Sequence, residues 1–223
     1  DSHDWNGFTA LTGLNARASG TSVETQVPLF DLGMGDGAEA RILWQTSDSA
    51  GNVDLADSII SLNAGLLSVA DAASVAQQAA NSQQDGPGLA IDGDFNDWNA
   101  IAKLADELSD VENPNVDLSE YATARQAGET YFYLNVEGDV LSGIAIPEAE
   151  ARRPSDDGGS GDSVPMQGSG NQQSVPLPVD SSVDTVRVFI DTDGNTLTGY
   201  RQFGIPVGAD SMVEVTGQFG IIT

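Results

Sequence analysis

Hydrophobic and polar side chains alternate with a period of two in the first 50 residues. Positions 23–29 carry Val, Thr, Val and Leu, separated by Glu24, Gln26 and Pro28. Positions 40–45 repeat the pattern with Ala, Ile and Trp against Arg and Gln. The alternation predicts two strands, the first with one face in water, joined through a glycine-rich turn at 31–37. A third, weaker strand is predicted over 5–14.

The pattern changes to a helical period between residues 54 and 84. Hydrophobic side chains recur there at steps of four and three positions, at Leu55, Ile59, Leu62, Leu66, Val69 and Ala73. This spacing puts them on one face of a helix. We therefore predict a short helical connector within 51–88 that covers a sheet face, as one helix or as two separated at Gly65. A coiled coil is the alternative, but the alternating charges typical of one are missing.

Strand patterning returns from residue 89 onward. Residues 130–136 and 186–190 alternate in hydrophobicity and are typical of central strands with both faces covered. Between them, residues 148–173 are rich in Gly, Ser, Asp and Pro, the composition of a flexible acidic loop. The chain as a whole therefore predicts a mainly β protein.

Charge limits the partners of this chain. Its 223 residues include 34 acidic and 8 basic ones, which gives a net charge of −26. Nucleic-acid binding depends on Lys and Arg that neutralise phosphates, so we expect no nucleic-acid partner. No hydrophobic run reaches the roughly 20 residues of a transmembrane helix, so we expect no membrane insertion. An acidic surface with Lys103 as its only lysine suits salty water, and we expect an extracellular or cell-surface location.

The scarcity of cysteine and histidine limits the chemistry. The sequence has no cysteine, and His3 is its only histidine. Thiolate nucleophiles and zinc centres with several histidine ligands are therefore excluded, and a Ser-His-Asp triad would depend on His3. Two carboxylates at glycosidase spacing would arise by chance among so many acids. We therefore expect that the protein is not an enzyme.

Three segments of the second half resemble one known family. They are 91–98 (IDGDFNDW), 131–138 (YFYLNVEG) and 189–200 (FIDTDGNTLTGY), followed by a Gly-Ala-Asp segment at 208–210 and by residues 212–215. They resemble, in the same order, the "IDG…DW" turn, the central strand and the "IDTD…TGY…GAD" stretch of carbohydrate-binding modules of family 9 and the related DOMON-like β-sandwiches. The resemblance implies an antiparallel, jelly-roll-like β-sandwich and carbohydrate binding.

The strands that follow the Gly-Ala-Asp segment in that family are missing from the end of this sequence. Trp5, residues 20–32 and residues 38–48 resemble them, displaced to the front of the chain. We therefore predict that the sandwich is split or permuted. The predicted divisions are residues 1–50, which resemble the C-terminal half of a sandwich, the connector 51–88, and residues 89–223, which resemble the N-terminal half.

Each half alone would leave unpaired strand edges, so the two must complete a sandwich. Two arrangements do this: a circularly permuted sandwich within one chain, or strand complementation in which one subunit's front half completes the next subunit. The second arrangement is head-to-tail and produces a filament unless its rotation closes a ring. The connector can span either arrangement.

Two groups of acidic residues are candidate metal ligands. Asp191, Asp193 and Asn195 occupy alternate positions after a strand, and their oxygens can converge on Ca²⁺. The loop is not an EF-hand, because Gly194 precedes Asn195 and no glutamate stands at the twelfth position. The second group is Asp92, Asp94 and Asp97. For both groups the alternative is a turn stabilised by Asx hydrogen bonds.

Sugar binding of the kind implied by the resemblance requires aromatic rings that can stack on a sugar. We expect Trp44 and Trp98 to be buried in the core. Trp5, Tyr121 and Tyr200 remain as candidates for carbohydrate contacts.

The sequence thus favours a non-catalytic extracellular β-sandwich protein. We expect a structural or adhesive component, such as a filament or surface-layer subunit that forms a homopolymer by self-association. The alternative is a carbohydrate-binding module of a secreted or cell-surface protein.

Overall fold

The chain folds into two antiparallel sheets packed as a β-sandwich. The computed structural model describes residues 13–34, 38–63, 66–69, 88–143, 183–201 and 205–223. In these ranges the strands are β1 (Asn15–Ser19), β2 (Ser22–Pro28), β3 (Ala40–Ser47), β4 (Val53–Leu55), β5 (Ile60–Asn63), β6 (Leu66–Val69), β7 (Leu104–Ala105), β8 (Leu118–Gln126), β9 (Glu129–Val136), β10 (Asp184–Asp191), β11 (Ser211–Gln218) and β12 (Ile221–Ile222). A 3₁₀ helix spans Phe95–Ala100. The prediction of a mainly β, antiparallel sandwich is therefore confirmed.

Both sheets join strands from the front and the back of the chain. Sheet 1 has the order β1-β2-β9-β8-β7, and sheet 2 has the order β12-β11-β10-β3-β5-β6, with β4 also paired to β3. The central pairs are β2 with β9 and β3 with β10, both antiparallel. Front and back strands thus pair with each other within one chain, as in the permuted alternative.

The main core lies between the two sheets and is centred on aromatic rings. Trp44 of β3 is fully buried, with its ring centroid 4.9 Å from that of Tyr121 in β8 and 6.4 Å from that of Phe132 in β9. Phe189 of β10 is also fully buried. Aromatic pairs at such distances add to the hydrophobic stabilisation of a core.

A second, smaller core covers the outer face of sheet 1. The segment 88–101, which includes the 3₁₀ helix, places Trp98 against the sheet, and its ring stacks on Tyr133 at 5.2 Å. Glu24 of β2 lies beneath this segment and is fully buried. Its carboxylate accepts hydrogen bonds from Asp92 N (3.0 Å), Gly93 N (2.8 Å) and Trp98 Nε1 (2.9 Å). The face of β2 that we predicted to be in water is therefore covered at Glu24.

The predicted helical connector is wrong where the structure describes it. Residues 53–55, 60–63 and 66–69 form β4, β5 and β6 instead of a helix. The free edge of β3 explains the difference, because β4 and β5 both bond to it and β6 extends the sheet beyond β5. Sheet pairing overrides local helix propensity in such cases. Residues 70–87, the rest of the connector, lie outside the described residues.

Two further predictions also concern residues that the structure does not describe. The acidic loop 148–173 lies entirely outside the described ranges, and so does most of the strand predicted over 5–14. Residues 13 and 14 are described and precede β1 without belonging to a strand. In the described part of the chain no helix has the length and hydrophobicity to cross a membrane.

Candidate metal sites and a polar groove

The first predicted metal group gathers at the end of β10. Asp191 and Asp193 meet Asp210 there, and one carboxylate oxygen of each lies within 4.8 Å of the others. Asp210 is fixed by the loop, since its Oδ2 accepts hydrogen bonds from Thr192 N and Thr192 Oγ1, both at 2.9 Å. Asp210 belongs to the Gly-Ala-Asp segment noted in the sequence, but it was not predicted to join this acidic group.

Asn195, the third member of that predicted group, serves the turn. Its Oδ1 accepts a hydrogen bond from Leu197 N (3.1 Å), and its own N–H donates to Asp193 Oδ1 (2.7 Å). These are the Asx hydrogen bonds of the alternative interpretation.

Asp191 has an unusual electrostatic environment. It is fully buried, and among the described residues neither carboxylate oxygen has a hydrogen bond of good geometry. Arg41 lies nearby, with its Nη1 3.6 Å from Asp191 Oδ2. Burial raises the pKa of Asp191, while the Gly194 amide and Arg41 oppose that shift. Three carboxylates and one guanidinium leave a formal charge of −2, which a divalent cation would neutralise.

The second predicted metal group has the hydrogen bonds of local turns. Asp92 Oδ1 accepts from Asp94 N (2.8 Å), and Asp94 Oδ1 accepts from Asn96 N (3.2 Å) at the start of the 3₁₀ helix. Asp97 Oδ2 accepts from Ala90 N (2.8 Å). Asp92, Asp94 and Asp97 do not bring one oxygen each within 4.8 Å of one another. Their arrangement is that of a capped turn, which was the alternative to a metal site.

A third acidic cluster, Asp54, Asp110 and Asp117, was not found from the sequence. One carboxylate oxygen of each lies within 4.8 Å of the others. Asp54 in β4 and Asp117 before β8 are both buried, whereas Asp110 is exposed. Asp54 had been assigned to the start of a predicted helix, and nothing local in the sequence links it to residues so far along the chain.

Carboxyl groups around this cluster are hard to ionise. Burial is the main reason that the pKa of Asp54 is raised to about 6, and the charges of Asp110 and Asp117 add to the effect. Burial likewise raises the pKa of Asp106 to about 7, with the charges of Asp54, Asp57 and Asp110 contributing. Because both pKa values lie above the usual range of Asp, these groups favour folding most at low pH. That contribution is lost as the pH rises from the usual Asp pKa of 3.8 to the raised values of about 6 and 7.

The predicted carbohydrate residues do not form an aromatic platform. Tyr121 is fully buried, and its hydroxyl donates to Ser58 O (3.0 Å), so it cannot stack on a sugar. Tyr200 is half-buried, with its ring stacked on Phe189 at 5.8 Å. Trp5 lies outside the described residues. Trp44 and Trp98 are fully buried, as the sequence analysis expected.

A different surface combines polar groups with an exposed aromatic ring. A groove of about 540 Å³ is lined by residues that include Asn52, Asn113, Asn115, Glu112 and Phe219. Phe219 is 74% exposed and has a φ of 57°, a strained backbone conformation for a bulky residue. A hydrogen bond from Phe219 N to Ser142 O (2.9 Å) stabilises the turn between β11 and β12.

Comparisons with protein-family models, with curated proteins and with solved structures found no match to this chain.

Proposed function

We propose that this protein is a non-catalytic extracellular structural or adhesive component whose subunits join by exchanging their front strands. We call β1–β6 the front unit and the described residues from 88 onward the back unit. The observation that carries the proposal is the seam between these units, which runs through the middle of both sheets. A neighbouring chain's front unit could make the same seam.

The seam consists of two strand pairs with continuous register. In sheet 1, β2 pairs with β9 from Ser22↔Asn135 to Pro28↔Glu129. In sheet 2, β3 pairs with β10 from Ser47↔Thr185 to Arg41↔Asp191. Either unit without the other would expose a central edge in both sheets, and such edges are templates for pairing with another chain. This requirement favours exchange over a loose contact between finished surfaces.

Side chains also cross the seam and would be shared by exchanged subunits. Arg125 Nη1 of the back unit donates to Ala38 O of the front unit (3.1 Å), and Arg187 Nη1 donates to Ser47 Oγ (3.1 Å). The Trp98–Glu24 hydrogen bond crosses in the same way. Residues 70–87 join the two units and would extend to about 60 Å, a reach that permits exchange with a neighbour. Exchange in one direction along a chain of subunits builds a filament.

Paired cysteines across the seam test the exchange, because the chain has no cysteine of its own. We expect Ser47→Cys/Thr185→Cys to form a disulfide between chains when concentrated protein is oxidised. A non-reducing denaturing gel should then show a ladder of multimers. The control Thr185→Cys/Thr216→Cys lies within the back unit, where Thr185 faces Thr216, and should give monomers. Monomers from the seam pair at every concentration would reject exchange and leave a permuted monomer.

Calcium at Asp191, Asp193 and Asp210 is part of this proposal. A buried carboxylate without a hydrogen bond of good geometry, beside two further carboxylates, suits a cation that prefers oxygen ligands. Arg41 of β3 belongs to the front unit and Asp191 to the back unit, so an ion here would stabilise sheet 2 beside the seam.

Carbohydrate recognition at the polar groove is a second candidate function. It is favoured by one observation, the exposed ring of Phe219 beside three asparagines, a combination that suits sugar hydroxyls and a sugar face. We expect Phe219→Ala to abolish glycan-array binding if the groove is the site. Phe30→Ala is the control, because Phe30 is 87% exposed and does not line the groove. Equal binding by both variants and the wild type would remove the groove from consideration.

A further inference from the structure

We propose that Asp54, Asp110 and Asp117 form a site for a divalent cation with a preference for oxygen ligands, such as Ca²⁺, and that this ion fastens the front unit to the back unit. The site itself is independent of the proposed exchange between subunits. That the ion also stabilises contacts between subunits rests on that proposed function.

The three aspartates reach the site from both sides of the seam. Asp54 is in β4, which pairs with β3 in the front unit. Asp117 immediately precedes β8, and Asp110 lies in the loop between β7 and β8, both in the back unit. A hydrogen bond already links the two units here, because the backbone Leu118 N donates to Asp54 Oδ2 (2.6 Å). A cation bound by all three would therefore bridge the units.

The spacing of the carboxylates fits a calcium ion. Ca²⁺ binds oxygen at about 2.3–2.6 Å, so two ligands on opposite sides of the ion lie roughly 4.6–5.2 Å apart. One oxygen of each aspartate lies within 4.8 Å of the others, which places all three within the reach of one ion. Mg²⁺ demands a near-ideal octahedron at about 2.0–2.1 Å and usually keeps several waters, so a group of three protein carboxylates suits Ca²⁺ better.

A separate observation at Asp117 points to a missing positive partner. Asp117 is 1% exposed, and its Oδ2 accepts a hydrogen bond from Ser109 N (2.7 Å). Its Oδ1 is buried and accepts no hydrogen bond from any described residue. Buried charged oxygens are normally paired, hydrogen-bonded or bound to a metal.

No basic side chain in the described part of the chain supplies that partner. The ion pairs found there are Arg41–Asp191 and Arg187–Glu214, and neither involves this cluster. Two buried carboxylates and an exposed one therefore stand together without a counter-charge. A proton shared between Asp54 and Asp117 is the competing explanation, and it predicts no effect of added cations.

Calorimetric titration of the full chain with CaCl₂ separates these explanations. We expect the wild type to bind Ca²⁺ at this site and to melt at a higher temperature in CaCl₂ than in chelator. Asp110→Asn removes one charged ligand from an exposed position, where it leaves the packing intact. We expect this variant to lose one bound ion per chain, or to bind it at least about tenfold more weakly.

Two matched variants make the result specific. Asp139→Asn removes an exposed carboxylate outside the cluster and should titrate like the wild type. Asp193→Asn should remove only the ion proposed at Asp191, so this variant should still bind Ca²⁺ at Asp54, Asp110 and Asp117. Unaltered stoichiometry and affinity in Asp110→Asn would overturn the site, and so would a wild type that binds no Ca²⁺. The cysteine cross-linking ladder is measured without added cations, so its failure is distinguishable from failure of this site.

Discussion

Replacing Glu24 by alanine is expected to lower the free energy of unfolding by about 4 kcal/mol. Its carboxylate accepts hydrogen bonds from Asp92 N, Gly93 N and Trp98 Nε1 at 2.8–3.0 Å, and Glu24 itself is fully buried. The buried Trp98 indole loses its acceptor at a cost of about 1–3 kcal/mol, and each of the two part-buried amide bonds contributes about 0.5–1.5 kcal/mol more. Urea unfolding followed by tryptophan fluorescence measures the change.

Two controls isolate the role of the carboxylate. Glu24→Gln keeps the shape of the side chain and one acceptor oxygen, but its NH₂ group replaces the second oxygen and faces a donor. We therefore expect the free energy of unfolding to fall by about 2 kcal/mol. Glu39→Ala removes an exposed glutamate and should change the unfolding free energy by less than about 0.5 kcal/mol. A Glu24→Ala protein as stable as Glu39→Ala would mean that the segment 88–101 does not depend on this carboxylate.

The strands at the centre of each sheet were the ones most readily predicted from the sequence. The runs at 23–29, 40–45, 130–136 and 186–190 correspond to β2, β3, β9 and β10, which make up the seam. Central strands are long, and at least one of their faces packs against a core, so their hydrophobic pattern is strong. These four strands are the ones that pair the front of the chain with the back in both sheets.

Contacts with parts of the chain that are distant in sequence explain the two wrong predictions, the water-facing Glu24 and the helical connector. Glu24 has the sequence pattern of a water-facing residue, yet the segment 88–101 covers it and supplies three donors. Leu55, Ile59 and Leu62 have helical spacing, yet their segment forms β4 and β5, which pair with the edge of β3. In both cases a partner distant in sequence decides the local structure.

The same distinction between local and distant partners applies to the two acidic clusters. Asp191 and Asp193 could be predicted because they stand at alternate positions where β10 ends and the following turn begins. Asp210 joins them from the start of the neighbouring strand, and Asp54 joins Asp110 and Asp117 across the seam. Carboxylates brought together by tertiary packing have no characteristic spacing in the sequence, so only the folded structure shows that they are close.

Cutting the chain between residues 70 and 87 should leave the two units bound to each other. After cleavage at an inserted protease site, we expect front and back pieces to elute together in gel filtration and to separate only in denaturant. The reason is the shared interior: both sheets pair across the seam, and Trp44 of the front unit lies against Tyr121 and Phe132 of the back unit. Separate elution in native buffer would show that the seam is too weak to support exchange.

Trp44→Ala in the same cleavable chain provides the sensitive comparison. Removing this fully buried ring should cost about 3–5 kcal/mol, which weakens the association of the pieces by more than about a hundredfold. The variant pieces should therefore dissociate on dilution while the wild-type pieces stay together. Pieces that hold together without a covalent link can also come from different chains. Mixing a tagged front piece with an untagged back piece would then measure directly how readily one subunit completes another.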